Sequence, residues 1–403
     1  MARRHLPRVR EGGILPVDDG AGGVRLAMGQ GQDLSIAAHV AAVDDPRVER
    51  TTHHSVIAIL TIARCATICG SDRWVEVEEF GKAKRAWLST FLELPHGIPA
   101  HDTCGRVFAA LDPGQFAACF RSWVAGVHAA TGVAAEVIAI DGKEARRSHD
   151  RGAGKAALRL VSAWATGARL VLAQRAVADK ASELGAVTEV LGLLALEGCI
   201  VTIDAMGCHA PIAQAIVDGG GAYVLALKGN QGRLFADAQA VGVAGVAHDD
   251  HRAVDGGHGR VEISEAWAIT DPAHLAYLDP KGVWPELRAL DVVRAERRVG
   301  SQTSAETRYY LSGVGGPAPA RALNRAVRSH WDIANGRHWV LDIAFREDEC
   351  RVRAGHAVHN LAVLRHIALI LLRRERTARV DLKAKRLKAS WDHRYLRRVL
   401  AAA

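Results

Sequence analysis

Two aspartates stand where divalent-metal chemistry on a phosphodiester would need them. Asp141 closes the segment Ile138-Ala139-Ile140-Asp141-Gly142-Lys143, and Asp204 closes Ile200-Val201-Thr202-Ile203-Asp204-Ala205-Met206-Gly207. Each puts a carboxylate at the end of an apolar, β-branched run, with a glycine close behind that permits close approach. Ligand sites of α/β sheets collect at strand ends, and carboxylate oxygens are the ligands that hard divalent cations prefer. A pair of such cations about 4 Å apart activates the attacking water or hydroxyl and stabilises the leaving oxygen. A strand-terminal Asp also serves simply to cap the next turn. One alone says little, whereas two in matching settings point to a shared metal site.

Cations cluster around the same segments. Lys143, Arg146, Arg147 and Lys228 (in Leu227-Lys228-Gly229-Asn230-Gln231-Gly232) follow strand ends on one side of the expected sheet. There they could hold a scissile backbone, since phosphate contacts position a duplex without reading its sequence. A solvated rim is the plainer alternative.

The elements that must carry these residues are legible in outline. Residues 1–44 are rich in Gly, Asp and Ala and read as a loose arm. A helical segment follows over 45–132. Within it Pro99 stops one element, and Asp102 or Thr103 can cap the next, whose apolar face is Val107, Phe108 and Leu111. This is either a helix-turn-helix presenting Arg106 to DNA or an ordinary helical hairpin. From 133 to 231, short apolar runs at 137–140, 158–163, 170–173, 200–203 and 223–227 alternate late with helical stretches at 182–196 and 209–219. Three strands, then helix, strand, helix and strand describe an α/β domain with a mixed sheet, the element order of an RNase H-like core. Residues 232–320 read as a β-rich insertion with strands at 261–269, 287–294 and 307–311. Residues 321–403 read as core-completing helices and a basic C-terminal tail, with one helix at 322–335 and another at 357–374 whose buried stripe is Leu361, Leu364, Ala368 and Leu371.

Composition narrows the partners. Residues 351–403 hold 14 Lys/Arg against three acids, more than the whole net charge of +8. Such a basic end suits a polyanion, because neutralised phosphates release condensed counterions. The seven cysteines are odd in number and lack zinc-finger spacing, which favours buried free thiols in a reducing cytoplasm. No apolar run is long enough to cross a membrane, and the basic N-terminus has no following h-region. The expected setting is the cytoplasm, on the nucleoid when DNA is bound.

Taken together these segments resemble the H-repeat-associated insertion-sequence transposases, a branch of the DDE superfamily. The likeness runs from Asp45 to Leu400. It is carried by IDGK at 140–143, TIDAMGC at 202–208, YVLALKGNQG at 223–232, ETRYY at 306–310, HWVLDIAFRED at 338–348 and NLAVLRHIAL at 360–369. The resemblance implies an RNase H-like fold and Mg²⁺ or Mn²⁺ dependence. It implies cleavage and strand transfer at element ends by in-line phosphoryl transfer, with DNA as partner and a homodimer in the synaptic complex. Asp141 and Asp204 take the places of the family's first two acids. The third acid departs from the pattern: where the family's helix carries Trp-x-Ile-Glu-Asn, this chain has Trp331-Asp332-Ile333-Ala334-Asn335. Alanine has no ligand atom, so the resemblance implies impaired catalysis or a DNA-binding relative without catalysis. Arg328 and His330, in the family's R-x-H-W pattern, are expected at phosphate. On a continuous helix Asp332 points away from Ala334, while His338 and Asp342 return to its face. A small-molecule phosphoesterase is the remaining class, and the basic end and the β insertion argue against it.

Overall fold

In a computed structural model the described residues are 36–402, apart from 49–51, 134–136, 151, 153, 155, 178–181, 245–247 and 258. Most of the expected N-terminal arm therefore lies outside them. The chain divides into two compact units: residues 1–130, 147–150 and 341–403 form one, and 131–146 with 151–340 form the other.

The first unit is helical. It begins with α1 (Ile36–Val40), α2 (Val56–Ile68), α3 (Trp74–Ala83), α4 (Arg85–Leu88), α5 (His101–Ala110) and α6 (Pro113–Ala129). Ser55 caps α2 by accepting the Ala58 amide at 3.1 Å, and Asp112 caps α6 by accepting that of Gln115 at 2.7 Å. On α5, Val107 and Phe108 are fully buried, as is Leu111 just after it, matching the expected face. The N-cap is Ala100, however, and Asp102 lies in the first turn. Twelve residues, 89–100, separate the single turn of α4 from α5, far more than the three or four of a helix-turn-helix.

The second unit holds one nine-stranded sheet, in the order β3-β2-β1-β4-β5-β9-β8-β7-β6. Its strands are β1 (Val137–Glu144), β2 (Arg159–Ala165), β3 (Leu170–Val177), β4 (Ile200–Ile203), β5 (Ala222–Leu227), β6 (Asp249–Gly257), β7 (Arg260–Ile269), β8 (Ala289–Val299) and β9 (Gln302–Ser312). β1, β2 and β3 are antiparallel, whereas β1, β4 and β5 run parallel, joined through α7 (Glu183–Leu191) and α8 (Ala210–Asp218). The expected RNase H-like order is thus the observed one. The β-rich insertion differs from expectation in two ways. It opens with a helix, α9 (Gly232–Ala244), and contains another, α10 (Pro272–Leu278). It is also continuous with the core, because β9 pairs antiparallel with β5 from Val224 to Leu227.

The sheet is covered on both faces. Ile138, Ile140, Val201, Ile203 and Leu225 turn to one side, against Val187 and Val190 of α7 and Ile212 and Ile216 of α8. Val137, Val224 and Val293 turn to the other, against Leu323, Ala326 and Val327 of α11 (Pro319–Asp332). The helix expected to run to residue 335 gives way at Ile333 to a π-helical segment, Ile333–His338.

After it the chain returns to the helical unit through α12 (Trp339–Phe345), α13 (Ala357–Arg374), α14 (Leu382–Trp391) and α15 (His393–Leu400). α13 is buried on nearly every side, not along one stripe, as befits a central helix. Asn360 donates at 2.9 Å to the carbonyls of Phe108 and Leu111, fixing α13 to the end of α5. The basic C-terminal segment is folded, and part of its charge is spent inward. Arg365 pairs with Glu347 at 3.6 Å, Lys385 donates to the Leu372 carbonyl at 2.8 Å, and Arg386 donates to Thr67 O at 2.9 Å. All three cations are buried. Arg376, Arg379, Lys383, Lys388, Arg394 and Arg398 remain exposed. No helix among the described residues is long and apolar enough to cross a membrane. Five of the seven free cysteines are buried, and Cys119 and Cys350 are partly so.

Candidate metal centre

Asp141 and Asp204 come together because two parallel strands stop together. The β1–β4 ladder ends at the pair Ile140–Ile203, and each aspartate is the next residue. β1 itself continues to Glu144 along β2, with Asp141 opposite Ser162. The expected strand end is therefore an end on one side only. Strand alternation puts Asp141 on the face of Val137, toward α11. Thr202, two residues before Asp204, shares that face, and its hydroxyl lies 2.9 Å from His330 Nδ1.

The pair is electrostatically expensive without a cation. Burial raises the Asp141 carboxyl to about 6, and the charge of Asp204 pushes the same way. The Gly142 amide, donating to Oδ1 at 2.8 Å, and the nearby Arg337 oppose this only in part. Asp204 also does what a plain capping residue would, accepting the Met206 amide at 3.2 Å. An all-oxygen pair that repels itself and is short of water suits a hard divalent cation. In this conformation no three His, Cys, Asp or Glu side chains among the described residues are gathered into a metal shell.

The π segment supplies two groups that periodicity alone did not assign. Arg337 is fully buried and donates from Nη2 to Ser162 Oγ at 2.7 Å. Its Nη1 lies 2.9 Å from His338 Nε2. A guanidinium only donates, so Nε2 accepts and the ring proton sits on Nδ1, 3.6 Å from Asp141 Oδ2. Burial first, then the charges of Arg337 and Lys143, push the His338 imidazole far down and keep it neutral. His338 thus has its N–H turned to the carboxylate. π segments are rare and recur at functional sites.

Ala334 lies within this π segment, and the side chains of Asp332, Ala334 and Asn335 fall outside the described residues. Residues 336–340 contain no acid. Asp342, in the first turn of α12, belongs to the helical unit.

The expected DNA contacts divide. Lys143 is on the same face of β1 as Asp141, and Arg146 and Lys228 are exposed. Arg106 and Arg147 are exposed in the helical unit. Two of the residues expected at phosphate are engaged elsewhere. Arg328 is ion-paired with Asp255 of β6. His330 is held by Thr202, and burial lowers its basicity.

Residues 132–371 match the family described as Transposase DDE domain, and residues 37–124 match the one described as DDE_Tnp_1-associated. The chain belongs to the DDE transposase family. Among its relatives is the "H repeat-associated putative transposase YhhI" of Escherichia coli (strain K12), 34% identical over 373 residues, which are 91% of this chain and 97% of that protein. Another is the "Uncharacterized protein in dhlA 3'region" of Xanthobacter autotrophicus, 41% identical over 283 residues, 67% of this chain and 91% of that protein. A solved structure, the piggyBac transposase synaptic complex with hairpin DNA, is similar at TM-score 0.38 and 9% identity, covering 89% of this chain and 76% of that one. In this DDE transposase the helical unit carries the associated segment, and the nine-stranded sheet carries both aspartates.

Proposed function

We propose that the protein binds the ends of an insertion sequence and carries out Mg²⁺- or Mn²⁺-dependent cleavage and strand transfer at Asp141 and Asp204, weakened by the alanine at 334. The observation that carries this reading is the pairing of two carboxylates at the joint end of parallel β1 and β4, inside a DDE transposase domain. Bound divalent cations would supply activation of the attacking oxygen and charge neutralisation at the leaving one.

The chain's own residues hold and orient. Asp141 and Asp204 present oxygens. His338 faces the Asp141 carboxylate with its Nδ1–H at 3.6 Å, and Arg337 fixes His338 while anchored on Ser162. Lys143, Arg146 and Lys228 contact the DNA backbone beside the reacting phosphate, and Arg106, Arg147 and the exposed arginines and lysines of the C-terminal helices contribute DNA contacts from the helical unit. The working assembly is a homodimer that pairs two ends.

The test is cleavage of DNA bearing the element's terminal repeats, with Mn²⁺, by the wild type, Asp204→Asn and Ala334→Glu. Metal-dependent nicking that is lost in Asp204→Asn and rises in Ala334→Glu supports the reading. Tight, salt-sensitive end binding with no nicking by the wild type or Ala334→Glu overturns catalysis and leaves a DNA-binding relative.

A further inference from the structure

Arg64 is the one charged residue of α2 and is only 8% exposed. The helical unit has three other buried cations, and each faces a carboxylate: Arg365 that of Glu347 at 3.6 Å, Lys385 that of Glu375 at 3.8 Å and Arg386 that of Asp72 at 3.3 Å. Arg64 has none among the described residues, and its Nε lacks any hydrogen-bond partner. Burial lowers its basicity, opposed only by the neighbouring Cys65 thiol. A buried charge is costly unless an opposite charge or hydrogen bonds answer it. The counter-charge that the other three cations find within the fold is the one that Arg64 lacks.

Arg64 also lines a cleft. Ile57, Leu60, Thr61 and Arg64 recur at helical spacing and so share one face of α2. That face is the floor of a cleft of about 320 Å³, walled by α1, by Phe116 of α6 and by α13. Apart from Arg64 and Thr61 the lining is apolar. Ile57 is 39% exposed, whereas Leu60 and Phe116 are buried, so the cleft opens at Ile57 and closes toward Arg64. The rise of a helix puts roughly 10 Å between those two positions. Every lining residue belongs to the helical unit.

Small-ligand sites are apolar clefts of this order with a few placed polar groups. A purely apolar occupant would leave the guanidinium unanswered, and a free ion would leave the apolar floor unfilled. One cation matches a monoanion, and the parallel donors of a guanidinium match the two oxygens of a carboxylate. We infer that the helical unit binds a small monocarboxylate carrying a hydrocarbon chain, with the carboxylate on Arg64 and the chain along Leu60 and Ile57. This site is separate from the metal centre, whose aspartates belong to the other unit.

Isothermal titration calorimetry on the full chain tests this with octanoate, whose chain suits the length of the cleft, against octan-1-ol and octylammonium. Octanoate is expected to bind saturably at one site, octan-1-ol at least about tenfold more weakly because a hydrogen bond to a charged group is lost, and octylammonium not at all. Arg64→Met is expected to hold octanoate no more tightly than octan-1-ol. Thermal melts without ligand should find that variant at least as stable as the wild type, since it removes an unanswered buried charge. Octanoate binding no tighter than octan-1-ol in the wild type overturns the inference. So does an octanoate affinity unchanged in Arg64→Met, which would mark adsorption elsewhere on the surface. An octanoate affinity that falls as protein concentration rises would put a second copy of the chain in the cleft, and overturns it too. If Arg64→Met fails to fold, the comparison of the three head groups on the wild type decides alone.

Discussion

Replacing Asp141 by asparagine should stabilise the metal-free protein and remove its response to metal. The carboxyl sits at about 6 in the fold against an ordinary 3.8. At about 1.4 kcal/mol for each tenfold in affinity for the proton, that is a ceiling of about 3 kcal/mol. The side chain retains 29% exposure, and solvent screening reduces the figure to about 1–2 kcal/mol. The sign follows from proton linkage. Between pH 4 and about 6 the folded state holds a proton that the unfolded chain has released, so stability falls as pH rises through that window and stays low above it. Asparagine has no charge to bury. At pH 7.5 without metal the variant should therefore be the more stable by about 1–2 kcal/mol, the gap closing toward pH 4. Mn²⁺ at a hundredfold excess over its Kd should add about 2.7 kcal/mol to the wild type and little to the variant, inverting the order. Urea unfolding with and without Mn²⁺ at the two pH values reads all four quantities. A variant less stable than wild type at pH 7.5 without metal, or an equal Mn²⁺ gain in both proteins, refutes the reasoning.

Two other buried groups give independent checks. Asp291 in β8 is 1% exposed, and burial raises it to about 8, with Ser312 offsetting only part. Wild-type stability should fall by about 1.4 kcal/mol per pH unit between pH 4 and 8 on its account; Asp291→Asn should flatten that slope in urea titrations, and an unchanged slope counts against a buried neutral acid. Arg337→Met removes the donors to Ser162 and His338 and should cost about 2–4 kcal/mol in melts by leaving buried acceptors unpaired. A loss under about 0.5 kcal/mol, typical of a surface site, would contradict the buried network.

The strands that carry the aspartates were legible because their apolar runs are short, β-branched and bounded by glycine. The run at 200–203 matches β4 residue for residue, and 357–374 matches α13. What escaped depended on distant pairings. β6 is polar and glycine-bearing, with no strand-like pattern of its own, and is held as an edge by β7. The union of insertion and core rests on the β5–β9 pairing, between segments some 80 residues apart, which no local periodicity records. The π segment broke the angular argument applied to residues 332–342, because a wider turn changes which side chains share a face. Arg337 was invisible as a functional residue since its worth lies in Ser162 and His338. The basic end predicted a polyanion surface, yet Arg365, Lys385 and Arg386 turned out to be internal cross-links.

The central claim, that Asp141 and Asp204 place a divalent cation on a scissile phosphate, is most directly tested by metal rescue. Sulfur replaces a non-bridging oxygen of the scissile phosphate in terminal-repeat DNA, and nicking is timed in Mg²⁺ and in Mn²⁺. Hard Mg²⁺ tolerates sulfur poorly, and Mn²⁺ accepts it better. The account predicts strong slowing in Mg²⁺ that Mn²⁺ largely reverses, with neither metal supporting nicking by Asp204→Asn. Equal slowing in both metals, or nicking that persists in Asp204→Asn, would contradict it.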